Sequence, residues 1–329
     1  MQPVPEQAGA PAVGPRPYLS RLLPSYAQGN VADRTYALVL GAFGLSIPVL
    51  FAFIVLRVGG AAMPAVREFG GSFITSSDWD PVAGQFGALP FIFGTVASSL
   101  LALLIAVPLA IGLAIFLTEL APRWLAAPIA FGTELLAAIP SVVYGLWGIF
   151  VLVPFLRTWV QTPLVDNVGV GLFRGPAMGS SILAGGVILA IMIVPFISAV
   201  SREVLAAVPV TQREGALALG ATRWEMTWQV VLPYAFPGII GATILGLGRA
   251  LGETMAITMV IGNRAQVATS LFAPGATMAS VLANEFAEAS ADLHLAALME
   301  IGLLLFGITI LVNTVARFLV WRVGLRAGR

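Results

Sequence analysis

The chain has 329 residues, of which 58% are hydrophobic and only 10% are charged, and its formal net charge is +1. Soluble domains carry roughly 25% charged residues, so this composition excludes an ordinary soluble protein and indicates a polytopic membrane protein. All 17 basic residues are arginine, there is no cysteine, and His294 is the only histidine. Without lysine, cysteine or a second histidine, the chain has no P-loop, no thiolate nucleophile and no multi-histidine metal site.

These absences argue against an enzyme and predict neither a cofactor nor a resident metal, so any ATP-driven chemistry must come from another chain. The arginines are spread along the sequence and form no basic stripe, so we expect no nucleic-acid partner.

Residues 1–34 are rich in proline, alanine and glycine. A segment of this composition cannot bury a core, so we expect a disordered cytoplasmic tail. It lacks the apolar core and cleavage site of a signal peptide, so the first apolar run should stay as a membrane anchor. Residues 35–329 are predicted to form one transmembrane domain.

Six apolar runs are long enough to cross a bilayer as helices, which takes about 20 residues. They are 36–56, 89–118, 125–156, 179–201, 235–261 and 295–320. The expected fold is therefore an all-α membrane protein with six transmembrane helices in contact with membrane lipid.

Arginine placement predicts the orientation of these spans. With the N terminus inside, eleven arginines fall in inside segments and five in outside segments, while Arg249 lies within the membrane. This excess on one side favours cytoplasmic positions for both termini.

Besides Glu253 in the fifth span, two carboxylates fall inside predicted spans. Glu134 lies in the third span, shortly before Pro140, and Glu300 lies near the start of the sixth. Because a bare carboxylate repels anions, we expect packing or hydrogen-bonding roles for both, with Glu300 close enough to the membrane surface to be hydrated. His294, at the outer end of the sixth span, is expected at the surface.

The segment at about 202–233, called the 202–233 loop below, is predicted to be cytoplasmic and to contain two short helices. Gly220 can adopt the left-handed conformation that ends a helix, and Thr222 with Glu225 forms a capping box that starts the next one. Pro233 is expected to end that second helix.

Trp224, Trp228 and Val231 recur at helical spacing on the second helix of this loop, so we expect them to share one face. Two tryptophans on a short loop helix favour docking against a partner over a merely solvated connector.

The fifth span contains Arg249 and Glu253, which a continuous helix would place one turn apart. An arginine at mid-membrane costs at least about 2.5 to 3.5 kcal/mol, so it must face other helices or water. Two interpretations stay open at this point. Arg249 is either a fork of donors for an oxyanion, oriented by Glu253, or one half of a buried ion pair that fixes helix packing.

The 202–233 loop resembles the cytoplasmic signature of bacterial ABC-transporter permeases, which is E-A-A, three residues, G, nine residues, I-x-L-P. Glu214, Ala216, Gly220, Leu232 and Pro233 match this signature, with Gly215 in place of alanine and Val230 in place of isoleucine. The resemblance implies a type I importer permease (MetI-like) fold. It also implies that these residues, with Trp224 and Trp228, couple the chain to an ATPase.

The sequence from Trp79 onwards further resembles the C-type permease (PstC-like) of the bacterial phosphate-specific transporter. The similarity is carried above all by Gly248 to Ala256, around Arg249 and Glu253, and by Met259 to Asn263. It implies that Arg249 and Glu253 lie on the path of inorganic phosphate, and that the protein resides in the bacterial inner membrane. The partners it implies are a second homologous permease, two ATPase subunits and an extracytoplasmic phosphate-binding protein.

Three alternatives remain. A permease for another oxyanion, such as molybdate or sulfate, would share the loop signature. An ATP-independent channel or carrier would leave that signature unexplained, and an intramembrane enzyme would lack a catalytic set.

Overall fold

The structure is a computed structural model that describes residues 31–167 and 171–327. The predicted tail falls mainly on residues 1–30, which lie outside the described residues, whereas residues 31–34 already belong to the first helix. The chain divides into two compact units, Met1–Leu56 and Arg57–Arg329, and the sites analysed below lie in the second.

The described chain is almost entirely helical. In chain order the α-helices are α1 Val31–Phe69, α2 Ser72–Thr75, α3 Leu89–Ile115, α4 Arg123–Ala138, α5 Ser141–Trp147, α6 Val153–Phe155, α7 Thr162–Asn167, α8 Ile182–Ala206, α9 Val210–Ala218, α10 Arg223–Met226, α11 Leu232–Gly252, α12 Met255–Val260, α13 Met278–Glu285 and α14 Asp292–Ala327. Wider π-helical turns occupy Phe116–Leu120, Gly148–Leu152, Leu156–Gln161 and Thr227–Val231, and a 3-10 turn occupies Gly171–Phe173. A small antiparallel hairpin pairs β1 Trp79–Asp80 with β2 Gln85–Phe86.

The described residues contain six helices long and apolar enough to cross a membrane, which confirms the predicted number of spans. They are Asp33–Phe69, Leu89–Leu120, Ser141–Asp166, Ile182–Ala206, Arg223–Gly252 and Asp292–Phe318.

The predicted third span, 125–156, is wrong in its bounds. The chain breaks at Ile139, whose ψ of 130° is extended, and the span starts only at Ser141. Pro140 explains the break, because proline disfavours helical conformation in the residue before it and cannot donate to the helix. The Tyr144 hydroxyl donates to the Leu136 carbonyl (2.8 Å) across this break and satisfies a backbone group that the helix has lost.

The predicted fifth span, 235–261, is also not one helix. Helix α11 ends at Gly252, Glu253 is extended (φ −69°, ψ 126°), and the chain becomes helical again only at Met255. Arg249 and Glu253 therefore do not share a continuous helix face.

Close packing of α3 against α8 forms the centre of the bundle. On α3, Ala102, Ala106 and Ala110 recur every fourth residue and are fully buried. On α8, a Cβ added to Gly186 would lie 2.6 Å from the Leu101 side chain. Small residues at helical spacing let two membrane helices approach closely, and this stabilises them through van der Waals contact.

The first turns of α3 and α8 and the segment between α12 and α13 lie together at one end of this bundle. We call it the hairpin end, after the hairpin of β1 and β2. The Ser181 amide donates to the Val260 carbonyl (3.2 Å), and the Met278 amide donates to the Thr95 hydroxyl (2.9 Å). The opposite loop end carries α9 and α10.

At the hairpin end, the expectation that His294 lies at the surface is wrong. The His294 ring is buried and stacks on Phe86, with a centroid distance of 5.3 Å. Its Nε2 lies 3.0 Å from Glu285 Oε2, which also accepts a hydrogen bond from Trp79 Nε1 (2.9 Å). These contacts fix the hairpin against α13 and α14.

The close approach at the hairpin end gives a first testable prediction. A methyl group on Gly94 would collide with the Ala276 carbonyl, whereas one on Gly112 of the same helix meets no atom within 4 Å. We expect Gly94→Ala to lower the melting temperature of the purified chain. Gly112→Ala should leave it unchanged or raise it, since alanine gains up to about 1 kcal/mol of helix propensity over glycine. Thermal unfolding in detergent measures both, and equal melting temperatures would contradict the packing described for α3.

Candidate functional site

The 202–233 loop folds as the sequence predicts in its first half. Helix α9 ends before Gly220, whose φ of +89° is the left-handed conformation that glycine adopts at low cost. The Glu225 amide donates to the Thr222 hydroxyl (3.3 Å), and the Thr222 amide donates to the Glu225 carboxylate (2.8 Å). This reciprocal pair is the predicted capping box, and it starts α10.

The prediction that Pro233 ends the second helix is wrong. Helix α10 passes through the π-helical turn Thr227–Val231 into α11, and Pro233 lies in the first turn of α11. Proline is tolerated in the first turn of a helix. In addition, the π-helical turn before Pro233 shifts the pairing of backbone amides and carbonyls, so the missing N–H of Pro233 does not interrupt the helix. The loop helix and the fifth span are therefore one continuous helix, Arg223–Gly252.

The two tryptophans of α10 and the following turn form an exposed aromatic pair. The Trp224 and Trp228 rings meet edge to face with a centroid distance of 5.4 Å, and the side chains are 59% and 48% exposed. Val231, expected on the same face, is instead fully buried in a cluster with Met226 and Leu205. Two adjacent exposed tryptophans are typical of a protein-docking surface.

The signature residues of the loop differ in their burial. Glu214 and Pro233 are exposed, and Ala216 and Leu232 pack against the buried cluster from its edge. A concave notch of about 500 Å³ lies between α9 and α10 and is lined in part by Ala216, Gly220 and Glu225. The loop thus presents a shaped surface on a packed base.

A buried ion pair that the sequence analysis missed attaches this loop to the second span. Arg213 Nη2 of α9 lies 3.0 Å from Glu119 Oε1, in the π-helical turn at the end of α3, and also donates to the Leu205 carbonyl (2.7 Å). The Glu119 side chain is 8% exposed and that of Arg213 21%. Since 94 residues separate the partners, no local pattern could have predicted the pair.

Arg249 lies on an exposed part of α11, one turn before the break at Glu253. Its guanidinium lies over the Phe196 ring of α8, with Cζ 5.8 Å from the ring centroid, and the Tyr144 hydroxyl is within electrostatic reach. Phe196 lies near the middle of α8, about 20 Å along the axis from its first residue and about 15 Å from its last. Arg249 therefore lies against the middle of the fourth span, Ile182–Ala206.

The expected interaction between Arg249 and Glu253 is not formed. No ion pair joins them in the described part of the chain, and Glu253 Oε1 instead accepts a hydrogen bond from the Ala256 amide (3.2 Å) at the start of α12. This excludes the interpretation in which the two residues neutralise each other as a buried structural pair. Among the described residues, the Arg249 guanidinium therefore has no carboxylate partner.

The carboxylates of the predicted third and sixth spans differ from one another. Glu134, on α4 near the loop end, lies outside the six spans of the structure and pairs with Arg202 at 2.6 Å, a hydrogen bond of the kind expected for it. Glu300 is buried, and its Oε2 has no hydrogen-bond partner among the described residues. The described residues contain no group of three or more side chains suited to a metal ion.

Comparison with known proteins identifies the family of this chain. The family model described as binding-protein-dependent transport system inner membrane component matches residues 106–325. The phosphate transport system permease protein PstC of Mesorhizobium japonicum is 47% identical over 304 residues, which cover 91% of this chain and 93% of that protein. PstC of Haemophilus influenzae is 47% identical over 292 residues, covering 87% and 92%.

The fold is also similar to that of a solved structure. A crystal structure of a bacterial alginate ABC transporter, in complex with a periplasmic protein bound to an alginate pentasaccharide, contains a chain that aligns with a TM-score of 0.60. The alignment covers 89% of this chain and 97% of that chain at 17% identity, so it shows a shared fold alone.

The ion pair between Arg213 and Glu119 leads to a stability prediction. Glu119→Gln or Arg213→Met leaves one partner without its counterpart, and we expect each to lower the free energy of unfolding by about 2 kcal/mol. Removal of one partner from a fully buried pair costs about 3 to 5 kcal/mol. The expected cost is smaller here because Arg213 remains partly solvated. Chemical or thermal unfolding in detergent measures the change.

A double variant and a neighbouring carboxylate supply the controls. Glu119→Gln with Arg213→Met should cost less than the sum of the two single changes, since no unpaired charge remains. Glu214→Gln, at an exposed carboxylate next to Arg213, should change stability by no more than about 0.5 kcal/mol. Strictly additive single effects would show that the two side chains do not interact.

Proposed function

This chain belongs to the binding-protein-dependent transport system inner membrane components, and among them to the phosphate permeases of the PstC type. From this premise we propose that it is the transmembrane permease subunit of an ATP-driven importer of inorganic phosphate. It is a transport subunit and not an enzyme, and ATP hydrolysis belongs to a separate subunit. The observation that carries the substrate class is Arg249, an arginine within the fifth span with no carboxylate partner among the described residues.

Arg249 supplies what a passing oxyanion needs within the bilayer. Its planar fork can donate two parallel hydrogen bonds to phosphate oxygens, and in a low-dielectric surrounding such charge-assisted bonds are strong. Glu253 lies at the break just beyond it, and its negative charge would keep the anion from being held too tightly. Together they form a transient station on the path of phosphate.

Arg249 faces away from the packed core of its own chain, so the other wall of the pathway must come from elsewhere. We propose that a second homologous permease supplies it. The arginine excess predicts that the loop end and both termini face the cytoplasm. The hairpin end then faces outward, where an extracytoplasmic phosphate-binding protein would deliver the anion.

Two ATPase subunits would act on the two permeases, one of them at the 202–233 loop of this chain. The exposed pair Trp224 and Trp228 and the notch beside Gly220 provide the contact surface. Because Arg223–Gly252 is one continuous helix, a displacement of the loop would move Arg249 directly. Closure of the ATPases on ATP would thus change the side from which Arg249 is accessible.

Reconstitution tests this function. The chain, its partner permease, the ATPase and the binding protein are placed in proteoliposomes, and ATP-dependent uptake of labelled phosphate is compared with that of sulfate. Phosphate uptake that depends on ATP and exceeds sulfate uptake is the expected result. Faster uptake of sulfate than of phosphate would show that the proposed substrate is wrong. Uptake without ATP would show that the proposed class of transporter is wrong.

Substitution of Arg249 is the sharpest test of its role. We expect Arg249→Ala to abolish phosphate uptake with the four-component assembly intact, because the anion then has no donor at this point of the span. Arg249→Lys should retain part of the uptake, since it keeps the charge but loses the fork. Leu104→Ala, on an exposed part of α3, serves as a control for truncation within a span. Normal transport by Arg249→Ala would refute the role proposed for this residue.

Removal of the aromatic pair tests the ATPase contact. Buried aromatic anchors contribute about 2 kcal/mol or more to an interface, so we expect Trp224→Ala with Trp228→Ala to weaken ATPase binding by at least about 30-fold. Co-purification and titration of the ATPase onto the permease measure this. Trp159→Ala removes an exposed tryptophan from the third span and should leave binding unchanged. Unaltered affinity in the double variant would mean that the ATPase docks elsewhere.

A further inference from the structure

A second polar groove lies beside Arg249, between α11 and α14. Its volume is about 380 Å³. It is lined by Ile244, Leu245 and Gly248 of α11 and by Ile310, Asn313, Thr314 and Arg317 of α14. The side chains that α14 contributes are therefore mostly polar, although they lie within a span that is otherwise strongly apolar.

Every polar side chain in this groove can donate a hydrogen bond. Asn313 offers an amide, Thr314 a hydroxyl and Arg317 a guanidinium, and no carboxylate is among the lining residues. Thr314 and Arg317 are exposed, and no ion pair of Arg317 is found within the described residues. A set of donors around one positive charge suits an oxyanion and disfavours a cation.

Gly248 keeps the groove open. A Cβ at this position would lie 3.8 Å from Asn313 Oδ1 and 3.9 Å from Asn313 Nδ2. Any side chain longer than a methyl group would therefore fill the space in front of the amide. The glycine brings the α11 backbone close to the donors of α14.

The groove lies within the sixth span, towards its loop end. Gly248 directly precedes Arg249, which lies over Phe196 near the middle of α8, so Asn313 is at about the depth of that contact. Arg317 follows one turn later on α14, about 6 Å further towards the loop end, and is the second-last residue of the span. An ionisable side chain within a span that faces a polar groove is a candidate for function.

We propose that Asn313, Thr314 and Arg317 form a second oxyanion site, one helical turn from Arg249 towards the loop end, which binds a phosphate group. This site rests on the proposed function, because it would receive the anion that Arg249 releases. Transport requires binding that is favourable enough for entry and weak enough for exit, and adjacent weak sites meet both demands. The phosphate group is that of the free anion on its path or that of a lipid headgroup, and the chemistry of recognition is the same.

Arg317→Gln in the full four-component assembly tests this site. We expect about a tenfold loss in the rate of phosphate uptake, the effect of removing one charge-assisted contact. The yield of assembled complex should remain unchanged. Arg317→Lys should recover part of the loss. Asn313→Leu provides a second, uncharged variant if Arg317→Gln does not assemble, and it should also slow uptake. Leu311→Ala, exposed on α14 but outside the groove, is the matched control.

Lipid composition separates the two sources of phosphate. Uptake is measured in vesicles of phosphatidylcholine alone and of phosphatidylcholine with phosphatidylglycerol. A loss in both vesicles identifies free phosphate on its path. If Arg317→Gln slows uptake only in vesicles that contain phosphatidylglycerol, and this lipid raises the melting temperature of the wild type but not of the variant, the site binds the lipid headgroup. Wild-type behaviour of Arg317→Gln and Asn313→Leu in both vesicles overturns the site.

The same experiment distinguishes failure of this site from failure of the proposed function. If Arg249→Ala abolishes uptake while Arg317→Gln and Asn313→Leu do not alter it, the proposed function is supported and the second site is wrong. If the wild type shows no ATP-dependent phosphate uptake, the proposed function itself is wrong.

Discussion

The structure is governed by the cost of placing charge in an apolar layer. A charged side chain there must meet an opposite charge, reach water or face another subunit. Glu134 meets Arg202, and Glu119 meets Arg213, and both pairs lie at the loop end, where they hold helices together. Arg249 and Arg317 lie within spans and have no such partner among the described residues. These two arginines are the positions at which we propose that the anion binds.

The second organising feature is the continuity of the helix that links the loop end to Arg249. Arg223–Gly252 spans 30 residues, or about 45 Å, and passes through a single π-helical turn. A continuous helix can transmit displacement along its length, whereas a break at Pro233 would have absorbed it. The ion pair between Arg213 and Glu119 attaches the other half of the loop to α3. The loop is therefore connected to two spans, and a partner that moves it moves both.

Local patterns in the sequence predict local structure well and long-range contacts not at all. The capping box of Thr222 and Glu225 and the left-handed Gly220 are confirmed because each depends only on neighbouring residues. The expectation that Pro233 ends the helix is wrong because the π-helical turn before it compensates for its missing N–H. The ion pair of Arg213 and the burial of His294 depend on segments that are distant in sequence. Runs of apolar residues indicate six spans. The positions at which the spans break depend on proline, on glycine and on the helices packed around them.

The contact between Arg249 and Phe196 would hold an unpaired arginine in place and still let it bind the anion that we propose. A carboxylate partner would occupy the guanidinium N–H groups and cancel the charge. An aromatic ring attracts the positive charge through its face, by about 0.5 to 2 kcal/mol, and accepts no in-plane hydrogen bond. With Cζ 5.8 Å from the Phe196 centroid, the side chain of Arg249 is restrained while its donor edge stays free. Restraint without neutralisation is what a transient oxyanion station requires, because a freely moving arginine would lose entropy on binding and a paired one would have to exchange partners.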